Sequence, residues 1–406
     1  MAYAPPEEAG GETAQGVFLL ENSMTSMERK EGRYRRRKAR RDRKKQDCLS
    51  RFDDFSRVAD PNNLYEAFKK SKLGVSWKES VQRYEMNLLA NIAETVRKLK
   101  AGENIGCGFA EFDLMERGRL RRIKSIHISE RVVQKCLCDQ SLVPVLSRSL
   151  IYDNGACLKG KGTHFAVRRL VRHLAKYHRR YKNNRGYCLS ADFSKYFDSI
   201  PHDVLFRAFQ KNIKDPRILN LLRDFITPFG DGVSLGLGSQ VSQISAIFHA
   251  SPVDHGMKDR RGIKFYGRYM DDLYILSPDR EYLLECLENI KKICAGLGVT
   301  VNERKTRIRK LKDGVLFLKG IYALSEEGKV IRRADPESRK RIRRKLRKFK
   351  TLLEAGKMGY ADIYNAYQSW RGNYRRRFDA YHTVRRMDAL YTALFINSHE
   401  PEVYHG

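Results

Sequence analysis

No stretch of this 406-residue chain approaches the roughly 18 consecutive apolar residues that cross a membrane as a helix, and no lipidation signal is present. The opening residues, MAYAPPEEAGGETAQG, lack the basic start and apolar run of a signal peptide. Cysteine is sparse, with eight residues, a CLC at Cys136 and Cys138, and no paired CxxC sets. That argues against a secreted disulfide scaffold and a zinc ribbon. The thiols are expected to be reduced, cytoplasmic and mostly buried. No internal repeat is visible. The scarcest property is negative charge: 48 Asp and Glu face 80 Lys and Arg, for a formal charge of +32. Self-repulsion at this charge works against a compact chain, and a polyanionic partner relieves it. Nucleic acid fits best, because neutralising phosphates releases counterions.

The charge is concentrated. Residues 29–45, RKEGRYRRRKARRDRKK, hold twelve Lys or Arg in seventeen positions. Such a run stays solvated or lies on phosphates. Arg35, Arg36, Arg37, Arg40 and Arg41 are its RNA-binding candidates, and helix formation is expected on RNA. Residues 1–25 read as a flexible tail. Residues 63–74 and 77–102 each predict a helix closed by a glycine. Residues 107–128 predict a basic hairpin, and Ser129 an N-cap for the helix that follows. THFAVRRLVRHLAKYHRRY, residues 163–181, is a further basic helix.

Between residues 186 and 302 strands and helices alternate, which predicts a sheet backed by helices on one face. The strands are GYCLSADF, the pair in IKFYGRYMDDLYIL, and VTVN. Residues 307–333 predict hairpins turning at Asp313-Gly314 and Glu327-Gly328. Residues 332–350 hold eleven Lys or Arg, yet Ile342, Leu346 and Phe349 keep a helical spacing. One face packs and the other is free for phosphate. Trp370, Tyr374 and Phe378 read as core aromatics of the last helices.

The chemistry lies in two separated acidic positions. Asp192 ends the strand in LSADFSKYFDSI, and Asp271 and Asp272 sit between the strands of FYGRYMDDLYIL. Adjacent acids between apolar strands raise each other's proton affinity unless a cation is present. Magnesium, with its preference for oxygen ligands, supplies that cation. Two such ions can activate a primer 3′-hydroxyl and stabilise departing pyrophosphate. Asp192 and Asp271 are then the bridging ligands, with Asp272 the weaker one.

These motifs arrive in one order with a Gly-rich segment at 232–243, and the whole resembles reverse transcriptases of the group II intron, retron and diversity-generating retroelement lineage. The matching segments are RRIKSIHISERVVQKCLCD, KGKGTHFAVRRLVRHL, SADFSKYFDSIPHDVLF, SLGLGSQVSQISAIFHASPVDH, YGRYMDDLYIL, LGVTVNERKTRI and VLFLKGIY. The resemblance implies an α+β right hand: an extension over 1–50, fingers 51–185, an antiparallel-sheet palm 186–330 and a helical thumb 331–406. It implies that Asp192, Asp271 and Asp272 are the catalytic carboxylates, holding two Mg2+ (or Mn2+) ions with the Phe193 backbone. Phe197 matches the aromatic that excludes a ribose 2′-hydroxyl, with simple packing as its plainer reading. Arg122, Lys159, Phe193, Gln243 and Lys305 match positions near the incoming deoxynucleoside triphosphate, with Arg121 or Lys124 as alternatives to Arg122. Tyr269, Met270, Gly238 and Gly320 match primer and template contacts.

Two departures stand out. The later pair of the Gly-rich segment is Ser242-Gln243 where group II intron enzymes carry Ser-Pro, which removes a φ restriction and adds an amide. Lys319 is inserted into the Phe-Leu-Gly pattern of the primer grip. No HNH-like or RNase H-like cluster follows the thumb, so a self-cutting intron protein is disfavoured. The implied partners are a structured non-coding RNA, an RNA template and a DNA or RNA primer, with an accessory protein or self-association besides, and no membrane. Ser-Gln and short length favour diversification. The Arg-rich tract suits an antiviral defence enzyme holding its own RNA. A non-catalytic scaffold or maturase predicts damaged acids, and all three are intact.

Overall fold

The computed structural model of the chain describes residues 25–116 and 119–396, without the side chains of Glu116, Arg119 and Arg121. The expected N-terminal tail, apart from Thr25, and the Arg121 alternative therefore lie outside the described residues.

The basic tract departs from expectation, because it forms a helix without RNA, Ser26–Phe52. Its start is fixed by a capping box: the Thr25 hydroxyl accepts from the Glu28 amide and the Glu28 carboxylate accepts from the Thr25 amide. Arg and Lys are good helix formers. Its far end is anchored where Leu49 and Phe52 join the main core and the Cys48 thiol donates to the Pro144 carbonyl. The arginine-bearing stretch between is exposed.

The 63–74 helix is Pro61–Ser71, capped by Asp60. The single helix expected over 77–102 is two, Glu79–Met86 and Leu88–Ala101. Asn87 leaves the helical region at φ −113° and ψ 33°, and the Asn91 side-chain amide donates to the Tyr84 carbonyl across the break. Strands β1 (Phe109–Glu116) and β2 (Arg119–Ile126) form the expected hairpin. The next helix, Ile128–Leu137, is capped by His127 and not by Ser129. The imidazole accepts from the Ser129 amide, a role that residue-type preferences do not anticipate. The basic helix runs Thr163–Tyr181 as expected.

The central sheet joins β3 (Tyr187–Ala191), β4 (Tyr266–Tyr269), β5 (Asp272–Ser277) and β6 (Arg307–Lys310) in the order β4-β5-β3-β6, all antiparallel. The VTVN segment is not a strand. It makes one bridge, Val301 to Phe193, because β3 has already turned away past Ala191. The Asp313-Gly314 turn closes no hairpin either. It carries the chain from β6 to a second sheet, β7 (Val315–Phe317), β8 (Gly320–Leu324) and β9 (Val330–Ala334). Glu327-Gly328 does turn between β8 and β9, with Gly328 at φ 84°.

Alternation sends β3 and β5 side chains to two cores. Leu189, Ala191, Leu273 and Ile275 meet the helices His202–Gln210, Gln240–His249 and Arg280–Gly296. Cys188, Tyr274 and Leu276 meet the 163–181 helix, β7 and β8. The sheet is thus covered on both faces where one was expected, and its end near Asp192 opens to a cavity. All eight cysteines are free and five are buried, in line with expectation. No described helix is long and apolar enough to cross a membrane.

The last three helices, Pro336–Glu354, Tyr360–Arg377 and Tyr381–Phe395, have a core of their own around Ile342, Leu346, Phe349, Ile363 and Tyr367. Tyr374 and Phe378 are buried beside it and Trp370 packs against them, the core role the sequence suggested. Leu346 is fully buried. Leu346→Ala should cost about 3 kcal/mol, and hydrogen exchange should show the loss of protection confined to residues 336–395. Uniform loss across the central sheet would contradict a separate core.

Candidate active site

The register of β4 and β5 pairs Tyr269 with Asp272 and leaves Met270 and Asp271 as a two-residue turn. Met270 sits at φ 55°, a left-handed conformation that costs a residue with a Cβ roughly 1–2 kcal/mol. The turn is held from beneath by Arg268. Its Nη1 donates to the Met270 carbonyl at 2.8 Å and its Nη2 to the Ile247 carbonyl at 2.9 Å. Its Nε and Nη2 grip both oxygens of Asp254 at 2.7 Å. Both side chains are wholly buried, and the Tyr266 hydroxyl adds a 2.6 Å bond to Asp254. The Arg268 backbone is fixed as well, bonding the Asp153 carbonyl and the Gly155 amide along the open edge of β4. A Cβ on Gly155 would come within 2.7 Å of Ala166, so only glycine allows that approach.

Asp192 follows β3 directly. Since Ala191 pairs with Leu273, Asp192 lies beside Asp272 across the sheet. Burial raises the proton affinity of Asp271, and the Asp192 charge raises it further. Burial does the same to Asp272, followed by the charges of Asp271 and Asp192. Lys305 opposes both effects and ion-pairs with Asp192. A cavity of about 400 Å³ opens here, with Asp192 and Asp272 in its wall, a basic side formed by Arg304, Lys305, Arg307 and Arg309, and the Leu318-Lys319 turn opposite.

That turn explains the inserted lysine. Leu318 and Lys319, at φ 47° and 67°, form a two-residue loop between β7 and β8 with Phe317 paired to Gly320. Loops of this kind prefer glycine or asparagine. This one is braced by Arg377, which donates to the Leu318 carbonyl at 2.7 Å. A Cβ on Gly320 would meet the Tyr322 hydroxyl at 2.5 Å and the Phe378 ring at 2.9 Å.

The remaining predicted residues are placed as follows. Phe193 is buried with its ring 5.2 Å from that of Tyr196, and Phe197 is half-buried beside the same tyrosine. Gly238 sits at φ 113° next to the Lys124 carbonyl. Gln243 is exposed near the start of its helix, and its amide oxygen accepts from the Cys157 thiol. Tyr269 packs against the Gly155 segment. Arg122 is an exposed hairpin residue paired with Glu111 at 2.6 Å, while Lys124 bonds the Phe229 carbonyl. Lys159 is exposed in a turn. Arg35, Arg36, Arg37, Arg40 and Arg41 are exposed on the first helix, Arg35 paired with Glu31. Sequence reasoning passed over Arg268, Asp254 and Arg377, whose partners lie far off in sequence. The arginine before Tyr-Met-Asp-Asp, in an otherwise apolar strand, was the available signal.

Among the described residues no three His, Cys, Asp or Glu side chains stand already arranged as a metal cage. The three aspartates nonetheless suit a hard divalent cation, since they offer oxygen donors whose mutual repulsion such an ion would relieve.

Residues 116–323 match the family described as reverse transcriptase (RNA-dependent DNA polymerase). The chain belongs to that family. It is an RNA-directed DNA polymerase, a nucleotidyltransferase, with the fingers, palm and thumb of a right-hand polymerase. Enzymes of this family use divalent metal ions and deoxynucleoside triphosphates. Solved structures similar to this reverse transcriptase include a telomerase from Candida albicans in complex with a fragment of telomeric RNA, at 13% identity and a TM-score of 0.42, covering 58% of this chain and 46% of that one. An apo telomerase from Candida tropicalis, truncated of its C-terminal domain, aligns at 12% identity and a TM-score of 0.43, covering 56% and 55%. The chain thus spans about half the length of each. No curated protein matches it.

Removing the Arg268 side chain strands Asp254 as an unpaired buried charge. Arg268→Met should therefore destabilise the reverse transcriptase by about 3–5 kcal/mol. Arg268→Met with Asp254→Leu should recover much of that in a denaturant melt, yet not DNA synthesis, because the Met270 carbonyl still lacks its donor. Recovery of both together would show that the pair matters for stability alone.

Proposed function

We propose that this enzyme copies a dedicated structured non-coding RNA into cDNA by two-metal-ion nucleotidyl transfer, with Asp192, Asp271 and Asp272 as the catalytic carboxylates. The observation that carries this is the meeting of three acids at one end of the central sheet in a chain of net charge +32. Asp192, Asp271, Asp272 and the Phe193 carbonyl would hold Mg2+, with Mn2+ as a substitute. When bound, the ions supply the charge that lowers the pKa of a primer 3′-hydroxyl and offsets the charge growing on pyrophosphate. The chain's own residues orient and select. Lys305 stands at Asp192, where its ammonium can meet the triphosphate, with Arg122, Lys159 and Gln243 as further nucleotide contacts. Tyr269, Met270, Gly238 and Gly320 support primer and template. Phe197 narrows the space for a 2′-hydroxyl.

On this reading residues 51–185 act as fingers, 186–330 as palm and 331–406 as thumb. Residues 1–50 form the RNA-binding extension, in which Arg35, Arg36, Arg37, Arg40 and Arg41 contact RNA. The biological setting we infer is a diversity-generating retroelement, since the exposed Gln243 replaces a proline near the nascent base pair. Antiviral defence is the second reading. It is favoured by the Ser26–Phe52 helix, which carries its cations on the free chain and is ready to hold a resident RNA.

Deoxynucleotide incorporation by the purified protein with its co-purifying RNA, in magnesium and in manganese, tests the mechanism. Asp271→Asn or Asp272→Asn should lower incorporation at least a hundredfold while leaving RNA binding intact. Full activity in these variants would remove the acids from the mechanism. Phe197→Ala should raise ribonucleotide use relative to deoxynucleotide use, read as the ratio of kcat/KM values. An unchanged ratio would assign Phe197 to packing. Adenine-biased errors in the sequenced cDNA would support diversification, and faithful or repetitive products defence.

A further inference from the structure

The Thr163–Tyr181 helix turns its apolar face inward, where Ala166, Val167, Leu170, Leu174 and Tyr177 pack on the central sheet, β7 and β8. Its opposite face carries Arg168, Arg172, Lys176 and Arg179, all exposed. Their spacing of four, four and three residues makes one straight row along the helix, about 16 Å long. Among the described residues none of the four has an ion pair, in contrast to Arg169 on the inward side, which is spent on Asp153. None of them lines the cavity beside Asp192.

Uncompensated cations in a rigid row carry a standing repulsion that phosphates would remove. The row itself holds no aromatic side chain to stack a flipped base, so it suits a sugar–phosphate backbone and not unpaired bases. We propose that this face, from Arg179 to Arg168, is a docking surface for a double-stranded RNA stem lying outside the polymerase cleft. The proposal rests on the reading that the enzyme works on a structured RNA, and it gives that RNA a second place of attachment, apart from the N-terminal helix. A stem held here would tether the template-bearing RNA while its single-stranded part is copied.

The test uses the full chain and Arg168→Gln/Arg172→Gln/Lys176→Gln/Arg179→Gln, which keeps good helix formers at every position. The probe is a blunt RNA hairpin, titrated at several salt concentrations. The expected result is at least a tenfold loss of affinity at low salt and a fall of about three in the slope of log K against log salt. Single-nucleotide extension of a short DNA primer on poly(rA) should be unchanged. An unchanged hairpin affinity and slope would overturn the proposal. So would an equal loss of binding to phosphatidylglycerol vesicles, which would mark the face as a generic anion surface. If the fourfold variant fails to fold by circular dichroism, Arg172→Gln/Lys176→Gln takes its place, with about half the slope change expected. Wild-type protein that bound the hairpin in this way but incorporated no nucleotide would sink the catalytic reading and leave the docking surface standing.

Discussion

The buried ion pair between Arg268 and Asp254 is the constraint on which the rest of this site depends. Two charges without solvent exposure are costly to desolvate, and an apolar pair of similar volume would often be as stable. What such a pair would lack is direction. Arg268 spends its guanidinium on an acid from one helix, a carbonyl from the preceding helix and the carbonyl of Met270, and so ties the Tyr-Met-Asp-Asp turn to the framework of the sheet. A left-handed residue with a full side chain is tolerable there because its carbonyl has a charged donor beneath it. The position of Asp271 follows from that carbonyl, and the position of Asp272 from the strand that begins next to it.

Around this point the chain separates its charges by depth. The acids that matter lie partly buried at a sheet end, where burial and mutual repulsion raise their proton affinity. The cations lie outside, on the first helix, the 163–181 helix and the 336–354 helix, whose apolar stripes are narrow and whose remaining faces are basic. Lys305 is where the two populations meet. An inner cluster of acids thus lies within an outer surface of cations, and each carries a repulsion that an ion of opposite sign would relieve.

Much of this was legible in the sequence, for identifiable reasons. The strand ending at Asp192 and the hairpin around Asp271 were readable because apolar alternation and a short polar turn are local signals. The helical faces of Ile342, Leu346 and Phe349 were readable from spacing alone. What escaped were features settled by partners distant in sequence. Arg268 needs Asp254 and Ile247, the Leu318-Lys319 turn needs Arg377, and the VTVN segment fails as a strand because β3 turns away. The break at Asn87 and the cap at His127 escaped for another reason, since each depends on a particular side-chain bond that residue preferences average away.

The basic first helix shows why a composition argument reaches a partner before it reaches a conformation. Twelve cations in seventeen residues suit a phosphate-bearing partner, but they leave open whether the segment is ordered beforehand. Three features outside the run decide that: the Thr25 and Glu28 cap, the Leu49 and Phe52 anchor, and the Cys48 contact with Pro144. An arm ordered in advance loses less conformational entropy on binding than one that folds on its ligand, so more of its electrostatic attraction remains as affinity. The same holds for the 163–181 row, which the central sheet fixes from behind. Cations already in place give a polyanion an ordered surface to meet.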